Sequence, residues 1–510
     1  MRWGIPLDWK DLPVSPFYLQ QLEAVEGCYI HHATKWFNAA TVVITDVANE
    51  SQVLESITAL PFVVEVKTQR QPSSTTTLEN KWNFSFTDLR TENTEQTLEE
   101  QYVEFYGPSF RQVSMINAHV LHEMGFTGEG IDIAMMDSGW EYTDALPAFD
   151  RLRERNAIRM TRDFVNGGTN VYTESTHGTY VLSTMAAWIP DSLIGTAPDA
   201  NYYFFRTEDV ATEYRIEEDN WVVAAELADS LGVDIINSSL GYSEFDDASM
   251  NYTYADMNGE VSRASMAGDI AASKGILVVN SAGNRGHQAW RYITAPSDGD
   301  SVLCVGAVNI NENRAWFSGF GPSSDGNVKP NVMAMGQATV FADLDSTIRT
   351  GNGTSFSSPI MAGGAACLMQ AVNGRKTNMD VFRAIEKSAD HYSNPSDSLG
   401  HGIPDLWKAL QLLNEEWSEI FAENLIAVFP NPTTNQLTIS TEWLQDKSKA
   451  NCKIYDMLGR EVKQDEYMVS ADVARSVLTI QWRVGQLSPG NYILSVTTDK
   501  EKRMAKFSVR

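Results

Sequence analysis

The stretch "GTSFSSP", residues 353–359, sets hydroxyl side chains in front of "IMAGGAACLMQAV", a run that reads as a buried helix. Serine and threonine are good N-caps and proline is tolerated in a first turn, so capping alone accounts for the pattern. The chemical alternative is that Ser355 is a nucleophile at the positive end of a helix. Such a serine needs a base, and the base needs a group to orient it. Asp137 ends the apolar run "IDIAMMD", and His177 opens "HGTYVLSTMAA". Each reads more simply as a turn or cap residue when taken alone. In the order Asp, His, Ser they match one of the known chain orders of a serine triad.

The elements that must position these residues alternate along residues 105–413. "GIDIAMMD", "NYYFF", "VDIINSSLG", "GILVVNSAGN" and "SVLCVGAV" read as buried strands, and "GTYVLSTMAAWI" as a helix. Around Trp221 the spacing of Trp221, Ala224, Ala225, Ala228 and Leu231 predicts a helix that Gly232 ends. This is the rhythm of a doubly wound, mostly parallel α/β sheet with helices on both faces. Ligands of such sheets bind beyond the carboxyl ends of the strands, where Asp137 and the two helix starts fall.

The flanks differ in character. Residues 1–67 hold a small α+β unit, read as β-β-α-β, with two strands around Lys35–Asn38 and a third over "ALPFVVEV". Residues 68–104 are polar and read as a linker, as do 414–425. Residues 426–510 carry short alternating stretches with turn signals such as "SPGN", the pattern of an antiparallel β-sandwich.

The chain has 510 residues and a net charge of −27, which argues against nucleic acid as a partner. Cys28, Cys304, Cys367 and Cys452 are scattered singly, so neither a zinc site nor a disulfide framework is expected. No HExxH is present, which disfavours a metalloprotease. No apolar run reaches the ~20 residues of a membrane span.

"IAMMDSGW", "THGTYVLS" and "GTSFSSP" resemble the three active-site signatures of the subtilisin-like serine proteases, the subtilases. "NSSLG" (237–241) is similar to their substrate-binding strand, and "VVNSAGN" (278–284) to the segment carrying the oxyanion asparagine. "FSGFGP", "KPNVMAMG" and "GHGIPDLWKAL" extend the likeness. The resemblance implies Ser355 as nucleophile, His177 as general base and Asp137 as its orienting partner. It implies an oxyanion hole from the Asn284 side chain and the Ser355 backbone N–H. Ser239, Leu240 and Gly241, with Ser281, Ala282 and Gly283, would flank an extended peptide. Large apolar or aromatic side chains before the cut are the tendency that goes with such walls.

The flanks carry resemblances of their own. "DLPVSPFYL", "TKWFNA" and "ALPFVVEV" resemble the prodomain of a bacterial subtilase subgroup, which implies an intramolecular chaperone and inhibitor, with maturation in 68–104. "VFPNPTTNQLTIS", "KIYDMLGREV" and "LSPGNYILSV" resemble the type A sorting domain of the type IX secretion system, with its machinery as a partner of residues 426–510. That implies a secreted or cell-surface protein delivered through the outer membrane, although "MRWGIPLDWKDLPVSP" shows no signal-peptide stretch, so a displaced start is expected. The resulting expectation is a self-processing endopeptidase acting on protein or peptide substrates. The alternatives are a degenerate subtilase serving as an adhesin and a narrow maturation protease for surface proteins. No cofactor or catalytic metal is called for; structural calcium is the family's usual ion, with "SEFDD" (243–247) its candidate loop and a solvated acidic loop the commoner case.

Overall fold

The computed structural model describes residue 5, residues 7–69, 87–88 and 104–413, and, toward the C-terminus, 427–429, 436–440, 449–456, 461–468, 482–483, 487–488, 490–497 and 502–509. The 414–425 linker and most of 68–104 lie outside the described residues. Two compact units emerge, residues 1–119 with 127–409, and residues 120–126 with 410–510.

In the first unit, strands β4 (Asp132–Asp137), β5 (Ile158–Asp163), β6 (Asn201–Arg206), β7 (Ile235–Ser238), β8 (Leu277–Ser281), β9 (Val302–Val308) and β10 (Val332–Met335) form one seven-stranded sheet in the order β10-β9-β8-β7-β4-β6-β5. Every pairing is parallel. Strands β7 to β10 are buried throughout, as a parallel sheet covered on both faces requires, which is why they read as unbroken apolar runs. Alternate residues divide between the faces. Ala134, Met136, Ile236 and Val278 join a core with Trp221, Ala224, Ala225 and Ala228 of helix α4 (Ile216–Leu231), which Gly232 ends at φ 74°. Helix α5 (Arg263–Ser273) packs beside α4. Helix α6 (Thr354–Val372) lies against β7, β8, β9 and β10 and against helix α3 (His177–Ala186). Its small residues allow close packing: a Cβ on Gly363 would stand 2.0 Å from Thr196 Oγ1. None of the described helices is long and apolar enough to cross a membrane.

The N-terminal region runs α1 (Pro16–Glu23), β1 (Cys28–Thr34), β2 (Ala39–Ile44), α2 (Glu50–Thr58). The expected hairpin around Lys35–Asn38 is present, with β1 and β2 antiparallel. The expected third strand is not: residues 60–66 form no ladder, and Leu60, Phe62 and Val63 pack as a loop into a small core with Leu22, Val53 and Ile57 while Val64 is wholly exposed. Farther on, β3 (Thr87–Asp88) adds antiparallel to the hairpin of β11 (Thr339–Ala342) and β12 (Ile348–Gly351).

In the second unit, β13 (Ala427–Phe429), β14 (Gln436–Ser440) and β17 (Trp482–Arg483) form one antiparallel sheet. Strands β15 (Lys449–Asp456), β16 (Glu461–Met468), β18 (Gly490–Thr497) and β19 (Lys502–Val509) form another in the order β16-β15-β18-β19. Cys452 and Ile454 pair with Val496 and Leu494, and all four are fully buried, so the alternation seen in the sequence marks the inner face.

Candidate active site

Asp137 is the last residue of β4, and Met136 pairs with Ser238 of β7, so Asp137 and Ser239 leave the sheet side by side. Asp137 Oδ1 accepts hydrogen bonds from Ser138 N at 2.7 Å and Ser138 Oγ at 3.1 Å. It also lies 2.7 Å from Nδ1 of His177. Two glycines let the helix start approach this closely. A Cβ on Gly178 would sit 2.4 Å from Gly139 O, and one on Gly139 would sit 2.8 Å from Ser175 N. Ser138 Oγ also lies 2.8 Å from Ser175 Oγ, tying the strand end to the loop before α3. From beneath, buried Arg206 donates Nε to Ser138 O at 3.1 Å while its Nη1 pairs with Asp163 at 2.9 Å.

Ser355 is the second residue of α6, close to its unpaired amides. Pro359 lies deeper than a first turn and has no N–H for the Ser355 carbonyl four residues earlier. Ser239 supplies the substitute: its Oγ donates to Ser355 O at 3.0 Å, and Ser355 Oγ donates to Ser239 O at 3.4 Å. Buried Asn237 steadies the pair, accepting from Ser358 Oγ at 2.9 Å and reaching Ser239 Oγ at 3.5 Å. Asp137, His177 and Ser355 thus gather at one edge of the sheet, 1%, 1% and 4% exposed, at the carboxyl ends of its central strands.

Asn284 follows β8. Its Oδ1 accepts from Thr354 N at 2.8 Å and Thr354 Oγ1 at 2.9 Å, which fixes the amide plane beside the residue preceding Ser355. Gly283 N donates to Thr354 Oγ1 at 3.2 Å, and Ser281 Oγ to Leu240 O at 3.4 Å. The six residues expected to flank a peptide therefore line two adjoining segments next to Ser355. Thr354 and Asn237 were not singled out by the sequence reasoning, although Thr354 stands inside the quoted "GTSFSSP"; an asparagine in a buried strand gave the only signal for Asn237.

Residues 128–402 match the subtilase family. The chain belongs to the subtilase family. It is a subtilisin-like serine peptidase. Over 304 residues this subtilase is 31% identical to subtilisin E of Bacillus subtilis (strain 168), covering 59% of this chain and 70% of that protein. It is 27% identical over 315 residues to the Homo sapiens membrane-bound transcription factor site-1 protease, covering 60% of this chain and 27% of that protein. The self-cleaved protease domain of PatA aligns at TM-score 0.45 and 22% identity, covering 57% of this chain and 98% of that one.

The flanks of the subtilase match families too. Residues 1–83 match the Bacteroidota peptidase S8 propeptide domain, and residues 427–510 match a secretion system C-terminal sorting domain. The propeptide match runs past residue 67, where the sequence reading ended its first unit. Its hairpin is docked on α4. The Glu226 carboxylate accepts from Lys35 N and Trp36 N, both at 3.0 Å, and from Thr34 Oγ1. Thr41 Oγ1 donates to Asp219 at 3.0 Å, and Lys35 Nζ reaches Asp229 at 3.1 Å. Trp36 is 1% exposed and joins the core that contains Trp221. His32 Nε2 lies 2.8 Å from Phe164 O and 3.1 Å from Asn220 Oδ1, and burial first, then neighbouring His31, pulls its pKa down from 6.5 to about 4.

The loop 243–247 does not fit a calcium ion. Glu244 pairs with Arg285, Asp246 accepts from Glu213 N at 3.2 Å, and Asp247 caps Ser249 N at 2.9 Å, so the carboxylates are turned to separate partners. Among the described residues, carboxylate oxygens that converge to within 4.8 Å belong to Glu208, Glu213 and Glu217. Glu208 is engaged by Tyr242 OH at 2.6 Å and Glu217 by Asp209 N at 2.8 Å.

Proposed function

We propose that the chain is an exported, self-processing serine endopeptidase that cleaves peptide bonds through an acyl-enzyme on Ser355. The observation that carries this reading is the 2.7 Å contact between His177 Nδ1 and Asp137 Oδ1 at the sheet edge that also holds Ser355. With Nδ1–H donated to Asp137, Nε2 carries the lone pair that takes the Ser355 hydroxyl proton. Ser355 Oγ attacks the substrate carbonyl, and the resulting oxyanion is met by the Asn284 amide and the Ser355 N–H. Collapse expels the amine, which takes the proton back from Nε2. Water then repeats the sequence on the acyl-enzyme, and Asp137 stays ionised beside the imidazolium. This cycle calls for no cofactor, and no calcium ion is assigned to residues 243–247.

The N-terminal region acts in this reading as an intramolecular inhibitor and folding aid, removed by a cut within 68–104. Its docking on α4 through Glu226 and Trp36 supports that role. The sorting domain engages the type IX machinery and brings the enzyme to the cell surface or medium, and proteins or peptides are its substrates. Expression of the full chain is the test. Casein hydrolysis and release of an N-terminal fragment are expected from the wild type and neither from Ser355→Ala. Full activity of Ser355→Ala would reject the reading.

A further inference from the structure

Strands β4, β6 and β5 are neighbours in the sheet, and their last residues share one register: Asp137 pairs with Arg206, and Arg206 with Asp163. They are 1%, 1% and 4% exposed, so an arginine is buried in a row between two acids at the end of the sheet that holds the triad. Arg206 Nη1 donates to Asp163 Oδ2 at 2.9 Å. Asp163 is itself fixed, because its Oδ1 accepts from Val165 N at 2.8 Å and Asn166 N at 3.0 Å. The other arm of the guanidinium, Nε, donates to Ser138 O at 3.1 Å. One residue on, Thr207 N donates to Asp137 O at 3.0 Å. Both carbonyls of the turn that leaves β4 are thus held by residues 206 and 207. That turn carries two donors to the Asp137 carboxylate, Ser138 N at 2.7 Å and Ser138 Oγ at 3.1 Å. Both reach Oδ1, the oxygen that also meets His177 Nδ1, while Asp137 Oδ2 has no hydrogen-bond partner among the described residues. The carboxylate is therefore held by one oxygen, and its aim at His177 depends on where the Ser138 peptide lies.

We infer that Arg206 is a positioning residue of the catalytic centre: by tying the Ser138 carbonyl to Asp163 it holds the Asp137 carboxylate on His177. The inference rests on the proposed protease reading and adds to it a residue that acts through Ser138. Stability does not account for the arginine. Taking an ion pair out of water costs about as much as the pair returns, and apolar side chains of similar size often serve a fold as well or better. What an apolar pair lacks is the rigid fork of donors that joins the end of β5 to the Ser138 peptide. A reacting geometry is sensitive to displacements of about 1 Å, so a turn free to tilt by that much slows the reaction by roughly 10²-fold. The loss falls on turnover, because nothing that the substrate touches has changed.

The test uses the full chain after release of its N-terminal fragment, with one peptide p-nitroanilide as substrate. Arg206→Met leaves the Asp163 charge buried without its cation. Asp163→Asn in the same chain removes that charge and keeps an oxygen for Val165 N and Asn166 N. The double variant is therefore expected to regain unfolding midpoint relative to Arg206→Met, both read in a Ser355→Ala background. Its kcat is nevertheless expected to stay about 10–100-fold below wild type, with KM within about twofold. An arginine that only holds the fold together would bring kcat back with the midpoint, and that result overturns the inference. Asp163→Asn alone decides the matter where the variants of Arg206 do not fold. It is isosteric and loses the charge that holds Nη1, so kcat is expected to fall at least about threefold at unchanged KM. An unchanged kcat there, or a loss that falls on KM in any variant, overturns this inference alone. Wild-type protein that takes up no phenylmethylsulfonyl fluoride and cleaves no substrate overturns the protease reading and this inference with it.

Discussion

Replacing Ser239 by alanine leaves the Ser355 carbonyl without the donor that stands in for the missing amide of Pro359. A buried carbonyl left unmet costs about 1–3 kcal/mol. A lowered unfolding midpoint is therefore expected for Ser239→Ala in a Ser355→Ala background, where self-digestion cannot interfere. An unchanged midpoint would show that the Ser239 hydroxyl is not the substitute. Asn284 is bound to Thr354 through its carbonyl oxygen, which leaves its amide hydrogens to act as donors. Asn284→Ala is expected to lower turnover by about 10²–10³, the worth of such a donor in a subtilisin, with KM little changed. A loss that fell on KM instead would place Asn284 in substrate binding. At this scale the sequence showed which residue types recur at which spacing. It did not show Ser239 as the partner of Ser355, because that contact joins segments 116 residues apart.

The elements that position the site were readable because each has a strong local reason to form. Strands β4 and β7 to β9 are apolar runs of the right length, and α4 shows its alanine stripe and its closing glycine. Residues 60–66 were misread for the opposite reason: an apolar run there has no neighbouring strand, and Leu60, Phe62 and Val63 find their burial against α1 and α2 instead. The hairpin docking was illegible because Glu226, an ordinary solvent-facing choice on a helix, accepts the amides of a turn 190 residues away. Hydrogen bonds to a carboxylate are worth about 1.5–3 kcal/mol each. In full-length Ser355→Ala protein, Glu226→Ala is thus expected to speed amide exchange across residues 28–44 by tenfold or more. Exchange at the wild-type rate would mean that the hairpin is held by Trp36 packing and not by the carboxylate.

Across the whole molecule, the propeptide-family region is the part whose attachment should respond to pH. His32 is half-buried between Phe164 and Asn220 with His31, Arg162, Asp163 and Asp219 nearby, and its pKa falls from 6.5 to about 4 when docked. Its docked form is neutral, so protons favour release. Docking is fully supported above pH 6.5, weakens by up to tenfold per unit as the pH falls toward about 4, and gains no further weakening from this group below that. His32→Phe is expected to flatten the dependence of exchange in residues 28–44 between pH 7 and 4.5, and an unaltered slope would assign it to other groups. The most direct test of the account as a whole is the site of covalent modification by phenylmethylsulfonyl fluoride, read by peptide mapping of the intact protein. A single sulfonyl adduct on Ser355, lost in His177→Ala although Ser355 is still present, is the predicted result. Stoichiometric labelling elsewhere, or of Ser355 at an undiminished rate without His177, would contradict it.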